Sequence, residues 1–184
     1  MSLKDLLSSR KKDILKKWQE RIFQSYPAGS KRFLTSETDK FANPVGYSIK
    51  EKAENLFDEL VNEDGFNPVR VGPILDNIIR IRAIQDFSPS EAVSFIYLLK
   101  DAITDELEGL PEPGRNMLFD IISFYNKIDR AAMTAFELYM KCREKLFEIK
   151  VEGAKNQISG LLRRSDLIVE IPERESAENN VQSD

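Results

Sequence analysis

One group of polar side chains stands inside the most apolar stretch of the chain, residues 74–107. Its members are Arg80, Arg82, Gln85, Asp86, Ser94, Tyr97 and Lys100. If two helices of this stretch pack antiparallel, several of these side chains converge, and an arginine beside apolar walls suits the carboxylate or phosphate of a small ligand. The alternative is that Asp86 pairs with an arginine and only fixes the corner between the helices. We favour this structural interpretation, because buried polar networks often specify a fold and do nothing more.

The remaining inventory of reactive side chains is small. Histidine is absent, which removes the commonest general base, metal ligand and proximal haem ligand. Cys142 is the single cysteine, so neither a Cys–His pair nor a zinc motif is available. Carboxylate pairs such as Asp101 and Asp105 fall on charged helix faces, and no glycine-rich phosphate loop occurs. We therefore predict a protein that is not an enzyme and has no cofactor or metal, although a small-molecule ligand stays open.

The stretch that carries the polar group is predicted to be two helices with a corner at 86–88. Ser88 can cap the second helix, Pro89 fits its first position, and Glu91 can reach back to the cap. The apolar residues that follow occupy more than one stripe, which indicates a buried helix.

Similar start signals recur along the chain. Asn43–Pro44 is predicted to begin a helix, and Asn67–Pro68 to begin another, with a first turn before Gly72–Pro73. Helical periodicity also predicts one helix over Leu3–Phe23, with lysines mostly opposite its apolar side. That helix could lie on a membrane surface, but a solvated basic face opposite a core face is the interpretation we favour. These signals together predict an all-α domain.

A long helix is predicted from Arg115 to about Gly153, because no proline occurs between Pro113 and Pro172. Its apolar stripe thins after Ala131, so its later half needs a second surface, and another copy of the chain is the simplest source. We therefore predict a homodimer. The alternative is a break near Asp129–Arg130 that gives two antiparallel helices.

Charge and length complete the prediction. The last twenty residues carry six acids against one arginine, whereas the rest of the chain is nearly neutral. No basic face suits nucleic acid, and no apolar run is long enough to cross a bilayer. Without a signal peptide, and with one cysteine, we expect a cytoplasmic protein. We predict a helical domain over residues 1–155, then over 156–184 a helix end and an acidic, disordered tail with a possible short strand at Leu167–Ile171.

Three segments resemble a known family. They are FANPVGYSI (41–49), IIRIRAIQDFSPSEAVSFIYLLKD (78–101), and the Trp18, Ile22, Tyr26–Pro27 ending of the first helix. Over about residues 14–107 the chain is similar to the N-terminal domain of RsbT co-antagonist proteins, the RsbR-type stressosome sensors. The resemblance implies a globin-like helical bundle without haem that dimerises, followed by a long linking helix.

In the best-known members this domain is the sensory input to a STAS output domain that binds a switch kinase. Here an acidic tail follows the long helix instead, so no residue can be assigned to kinase contact. We therefore expect a non-enzymatic sensor or regulatory domain that relays the binding of a protein partner or ligand through helix packing. The alternative is an adaptor that docks to a larger assembly, such as a respiratory redox complex, because stand-alone relatives occur close to these complexes.

Overall fold

A computed structural model describes residues 2–36, 41–62, 64–85, 87–108 and 114–164. The elements in order are α1 (Leu3–Ser9), α2 (Lys11–Gln24), α3 (Ala28–Ser36), α4 (Pro44–Val61), α5 (Pro68–Ile84), α6 (Pro89–Leu107) and α7 (Arg115–Arg164). Every regular element among these residues is a helix, and the last is long. The predicted all-α class and the long C-terminal helix are therefore confirmed.

The predicted single helix over Leu3–Phe23 is wrong at one residue, because Arg10 divides it. Arg10 has φ −102° and ψ 9°, outside the helical range, and it ends α1 and precedes α2. The Ser9 hydroxyl donates to the Leu6 carbonyl at 3.0 Å, and the Arg10 N–H donates to the same oxygen at 2.9 Å. Such local hydrogen bonds from serine compete with the regular helical pattern.

Helix α2 lies in the core and packs mainly against α6. Ile14, Trp18 and Ile22 are fully buried on its apolar side. The Trp18 indole N–H donates to the Phe95 carbonyl of α6 at 2.7 Å, so this large side chain is also satisfied as a donor. The apolar side of α2 is thus occupied by the protein itself, which supports a solvated basic face over a membrane-bound helix. None of the described helices is both long and apolar enough to cross a membrane.

Helices α4 and α5 pack together, and both begin at the predicted asparagine caps. Asn43 accepts a hydrogen bond from the Gly46 N–H at 2.8 Å, and Asn67 accepts one from the Val69 N–H at 3.0 Å. Helix α5 begins at Pro68, as predicted, and continues through Gly72–Pro73. A proline at this position removes one hydrogen bond to the carbonyl four residues earlier. That residue is Val69, whose side chain is 79% exposed, so solvent is close by.

Helix α6 has the predicted capping box. The Ser88 hydroxyl accepts from the Glu91 N–H at 3.4 Å, and the Glu91 carboxylate accepts from the Ser88 N–H at 2.9 Å. The buried residues of α6 are Ala92, Phe95, Ile96, Leu99, Ala102 and Ile103. The cap therefore fixes the start of a helix that supplies much of the core.

The chain separates into two compact units, Met1–Glu144 and Lys145–Asp184. In the first unit α7 contributes Phe124, Ile128, Ala131, Ala135 and Tyr139 to the core. Of the second unit the structure describes only helix, and its side chains there are almost all exposed. No break occurs at Asp129–Arg130, so one helix is confirmed over two. The boundary at residue 155 stays a prediction, and the acidic tail from residue 165, with its possible strand, lies outside the described residues.

Candidate functional site: the Arg82 cage

The most unusual side chain of the first unit is Arg82 near the end of α5. Its side chain is 0% exposed. Among the described residues, Asn43 is the one other buried residue with a strongly polar or charged side chain. Three aromatic rings surround its guanidinium group, with ring centroids 4.8, 4.8 and 5.0 Å from Cζ. They belong to Tyr26, Phe87 and Phe95. We call Arg82 and these three rings the Arg82 cage.

The hydrogen bonds of Arg82 go to uncharged acceptors. Nη1 donates to the Glu91 carbonyl oxygen at 2.9 Å, and Nη2 donates to the Ser25 hydroxyl at 2.7 Å. The buried Nε of Arg82 and the buried hydroxyl of Tyr26 have no hydrogen-bond partner among the described residues. These two side chains nevertheless interact with each other, and this interaction opposes the effect of burial on the pKa of each.

Electrostatics reflect this burial. Burial lowers the pKa of Arg82, and the nearby Tyr26 and Glu91 offset part of that effect. Burial likewise raises the pKa of Tyr26, opposed by the positive charge of Arg82. The aromatic faces attract a cation, but a ring quadrupole compensates a desolvated charge only in part. The cage therefore holds a cation whose described surroundings contain no ion pair.

Of the other described members of the predicted polar group, only Ser94 meets Arg82, and it does so through a shared acceptor. Arg80 points outward and forms an ion pair with Asp76 at 2.7 Å, with its side chain 67% exposed. Gln85 is exposed at the end of α5. The Ser94 hydroxyl donates to the Glu91 carbonyl at 2.8 Å, so it shares an acceptor with Arg82. Asp86 lies outside the described residues, and its proposed pairing with an arginine stays a prediction.

Tyr97 and Lys100 belong to a separate contact between α6 and α7. The Lys100 ammonium group lies 2.5 Å from Asp129 Oδ1. It also lies 5.4 Å from the centroid of Tyr97 and 5.1 Å from that of Tyr125. These interactions connect α6 and α7. Tyr97 and Lys100 therefore belong to a contact that does not include Arg82.

Helix α7 also holds the α5–α6 corner, next to the Arg82 cage. The Tyr139 hydroxyl donates to the Phe87 carbonyl, and Arg143 Nη1 donates to the Ala83 carbonyl at 3.5 Å. Phe87 is itself a wall of the cage, and Ala83 follows Arg82 directly. Side chains of α7 therefore bind backbone carbonyl groups that belong to the cage or lie next to it.

Sequence reasoning identified Arg82 but missed the residues that enclose it. Ser25 and Tyr26 lie more than fifty residues earlier, and Phe95 was assigned only to the core. Tyr26 stands at the end of α2 next to Pro27, where only a helix stop was evident. The local sequence does not distinguish an exposed tyrosine at a helix end from a buried tyrosine at the same position. Only the tertiary packing does so.

A second feature of the first unit is an apolar stripe on the side of α7 away from the core. Its exposed members are Phe119, Ile122, Met133, Phe136 and Met140, which are between 39% and 62% exposed. Their spacing places them on one side of a helix with about 3.6 residues per turn. We call these five residues the α7 stripe. The second unit has exposed apolar residues of its own, Phe147, Ile149, Ile158, Leu161 and Leu162.

A third feature is a groove of about 470 Å³ between α2 and α4. Lys12, Lys16 and Lys50 lie along it, and Leu15 and Phe23 contribute apolar surface. Within the described part of the chain neither Lys12 nor Lys16 has an ion pair, whereas Lys50 lies 5.7 Å from the Phe23 ring centroid. Neighbouring Lys11 is paired with Asp58 at 2.7 Å. Glu20 and Glu54 also line the groove, so its charged lining is three lysines and two glutamates.

The described residues include no group of three or more carboxylates and cysteines that could hold a metal ion. Burial raises the pKa of the Cys142 thiol, as does the negative charge of Asp76, so the reactive thiolate is disfavoured.

Comparison of the sequence with known proteins found one family and one relative that we report here. The family model described as RsbT co-antagonist protein rsbRD N-terminal domain matches residues 12–151. A protein of Archaeoglobus fulgidus described as an uncharacterized protein is 27% identical over 143 residues, which cover 77% of this chain and 83% of that relative. No solved structure matches the chain.

Proposed function

Because this chain belongs to the family of RsbT co-antagonist protein rsbRD N-terminal domains, we propose that it is a non-enzymatic regulatory domain of the stressosome type. It pairs with a second copy through α7 and relays the binding of a partner or ligand through helix packing. The observation that carries the proposal is that α7 has two apolar sides. One side belongs to the core, and the other side, the α7 stripe, is exposed.

An exposed apolar stripe of this kind favours a protein partner. Five large apolar side chains share this side of α7, in two groups that Asn126 and Asp129 separate, and they exceed the singly scattered exposed residues of an ordinary monomer surface. A second copy of the same helix offers an equal stripe, and a two-fold axis lets each stripe cover the other. The globin-like relation and the homodimer remain parts of this proposal.

The contacts at the corner supply a relay path. Tyr139 is a neighbour of Met140 in α7, and its hydroxyl bonds to the corner carbonyl of Phe87. A change of packing at the corner would therefore move the helix that carries the stripe. Allostery requires such an element with two arrangements, each favoured by a different bound state.

Phe136→Glu tests the pairing. Phe136 is 41% exposed and lies within the stripe, so the substitution places a carboxylate at the proposed interface twice, once from each copy. We expect the dimer dissociation constant to rise at least about 100-fold, since buried unpaired charges cost several kcal/mol. Light scattering across a concentration series measures the change.

Lys141→Glu is the matched control, because Lys141 is exposed on the same helix but outside the stripe. It should leave the dimer intact. Wild-type protein that is monomeric at tens of micromolar would contradict the pairing, as would a Phe136→Glu variant that dimerises like wild type.

The α2–α4 groove supports a second candidate function, an adaptor that docks to an acidic surface of a larger assembly. Its support is that Lys12 and Lys16 form no ion pair within the described chain, although Glu20 and Glu54 also line the groove. Charge complementarity between two binding surfaces affects the association rate and the relative orientation of the partners more than it affects the affinity.

The double variant Lys12→Glu/Lys16→Glu tests the adaptor. We expect the amount of any specific partner recovered from the native cell to fall at least about tenfold, because like charges then face each other. Lys150→Glu/Lys155→Glu makes the same change in net charge on exposed residues of the second unit and should have no effect. Equal recovery with both double variants would remove the groove from consideration, and a loss seen only on deleting residues 165–184 would transfer the role to the tail.

A further inference from the structure

The described part of the second unit, residues 145–164, carries a regular row of apolar side chains. Its members are Phe147, Val151, Ala154, Ile158 and Leu161. Successive members are four, three, four and three residues apart, which is the spacing of the a and d positions in a coiled-coil heptad. Phe147, Ile158 and Leu161 are 68%, 58% and 65% exposed in the single chain. We call these five residues the heptad seam.

We propose that the heptad seam pairs with the seam of a second copy of this chain, as a parallel, in-register, two-stranded coiled coil. This interface is distinct from the α7 stripe, which belongs to the first unit. The inference rests on the proposed function in that both join two copies of the chain, and it adds a direction and a register to that pairing. The coiled coil itself does not require the stripe.

The residue types in the seam favour two parallel strands. Val151 and Ile158 occupy the a positions, and both are branched at Cβ, whereas Leu161 occupies a d position. This combination is the one that favours parallel dimers over trimers and tetramers. In such a dimer each seam residue packs beside its own counterpart in the other copy. A single sequence therefore supplies both sides of the interface.

The helix of the second unit also needs a partner for its own stability. Its described side chains are almost all exposed, so packing within the chain contributes little there. Gly153 and Gly160 each lower the helix propensity, and a Cβ at either position would meet no atom within 4 Å. An isolated helix of about 20 residues with two glycines is marginal in water. Both glycines lie outside the seam, where they leave the pairing surface unchanged.

The residues beside the seam do not supply the attraction. Lys150 lies at a g position and faces Lys155 at the e position of the other copy, so this pair of like charges is unfavourable. Both lysines are exposed, and the solvent therefore screens their repulsion. Leu162, at the next e position, widens the apolar surface of the seam. The pairing thus depends on apolar burial along the seam.

Ile158→Glu and Ile149→Glu test the seam as a matched pair. The two isoleucines are 58% and 56% exposed, and they lie on opposite sides of the same helix. Ile158→Glu places a carboxylate in the seam from each copy, so the dimer dissociation constant should rise at least about tenfold. Ile149→Glu adds the same charge outside the seam and should leave the constant unchanged. Light scattering of the full chain across a concentration series measures both.

A cysteine in the seam tests the direction and the register. In a Cys142→Ser background, Leu161→Cys should form a disulfide-linked dimer under mild oxidation. A parallel, in-register pair brings the two copies of residue 161 together, and a disulfide requires Cα atoms less than about 7 Å apart. An antiparallel pair would place them at opposite ends of the seam. Arg163→Cys, exposed and outside the seam, is the control and should cross-link much more slowly.

Equal dissociation constants for Ile158→Glu and Ile149→Glu would overturn the proposal. Equal cross-linking of Leu161→Cys and Arg163→Cys would also overturn it. Failure of the α7 stripe gives a different result, because Phe136→Glu then dimerises like wild type while Ile158→Glu does not. If Phe136→Glu dissociates the dimer and the two isoleucine variants behave alike, the stripe is the interface and the seam is not.

Discussion

Trp18→Ala should lower the free energy of unfolding by about 4 kcal/mol, which we expect to be the largest effect of the single substitutions that we propose. Trp18 is fully buried, and its loss leaves a large cavity between α2 and α6. It also removes the donor of the 2.7 Å hydrogen bond to the Phe95 carbonyl. Since a domain of this size is stable by only about 5–15 kcal/mol, the variant should be unfolded at a much lower denaturant concentration.

Trp18→Phe separates packing from hydrogen bonding. It keeps an aromatic ring and loses the N–H, so we expect a cost of about 1–2 kcal/mol. Because Trp18 is the single tryptophan, both variants should be followed by far-ultraviolet circular dichroism in a urea titration. An unchanged midpoint for Trp18→Ala would mean that α2 and α6 do not form the central pair of this core.

Arg82→Ala should lower the free energy of unfolding by about 3 kcal/mol. The variant loses two hydrogen bonds, leaves three aromatic rings without the group between them, and opens a cavity at the α5–α6 corner. The variant no longer has the desolvation cost of a buried guanidinium, and this gain offsets part of the loss. The expected decrease in the free energy of unfolding is therefore smaller than that for Trp18→Ala. Urea titration with the same spectroscopic signal measures it.

Arg80→Ala is the matched comparison, since Arg80 lies two residues away on the same helix. Its ion pair with Asp76 is on the surface, and we expect a change within about 0.5 kcal/mol. Equal effects of Arg80→Ala and Arg82→Ala would contradict the cage. A stabilising Arg82→Ala would also contradict it, because the desolvation cost would then exceed everything that the rings and acceptors contribute.

Local signals in the sequence determined much of the fold. The caps at Asn43, Asn67 and Ser88 start helices as predicted, because a cap satisfies backbone groups only a few residues away. The long α7 follows from the absence of proline over its length. The local signal that misled was the helical periodicity over Leu3–Phe23. Ser9 and Arg10 share the Leu6 carbonyl and divide this predicted helix in two.

The candidate site was predictable only in part. In the sequence, Arg80, Arg82 and Lys100 are all cationic residues among apolar neighbours. The sequence does not show which of the three is buried. Tertiary packing separated them, since Arg80 faces outward, Lys100 contacts α7, and Arg82 is enclosed. Its enclosure depends on Ser25 and Tyr26, which are more than fifty residues distant in the chain.

The sequence by itself thus determined the helical class, the helix starts, the long last helix and the family to which the chain is similar. These depend on hydrogen bonds and periodicity within a few residues. Only the tertiary structure decided which arginine is buried, which tyrosine faces it, and which side of α7 the core leaves exposed. Each of these depends on which distant helix faces have packed together, and no local pattern records that choice.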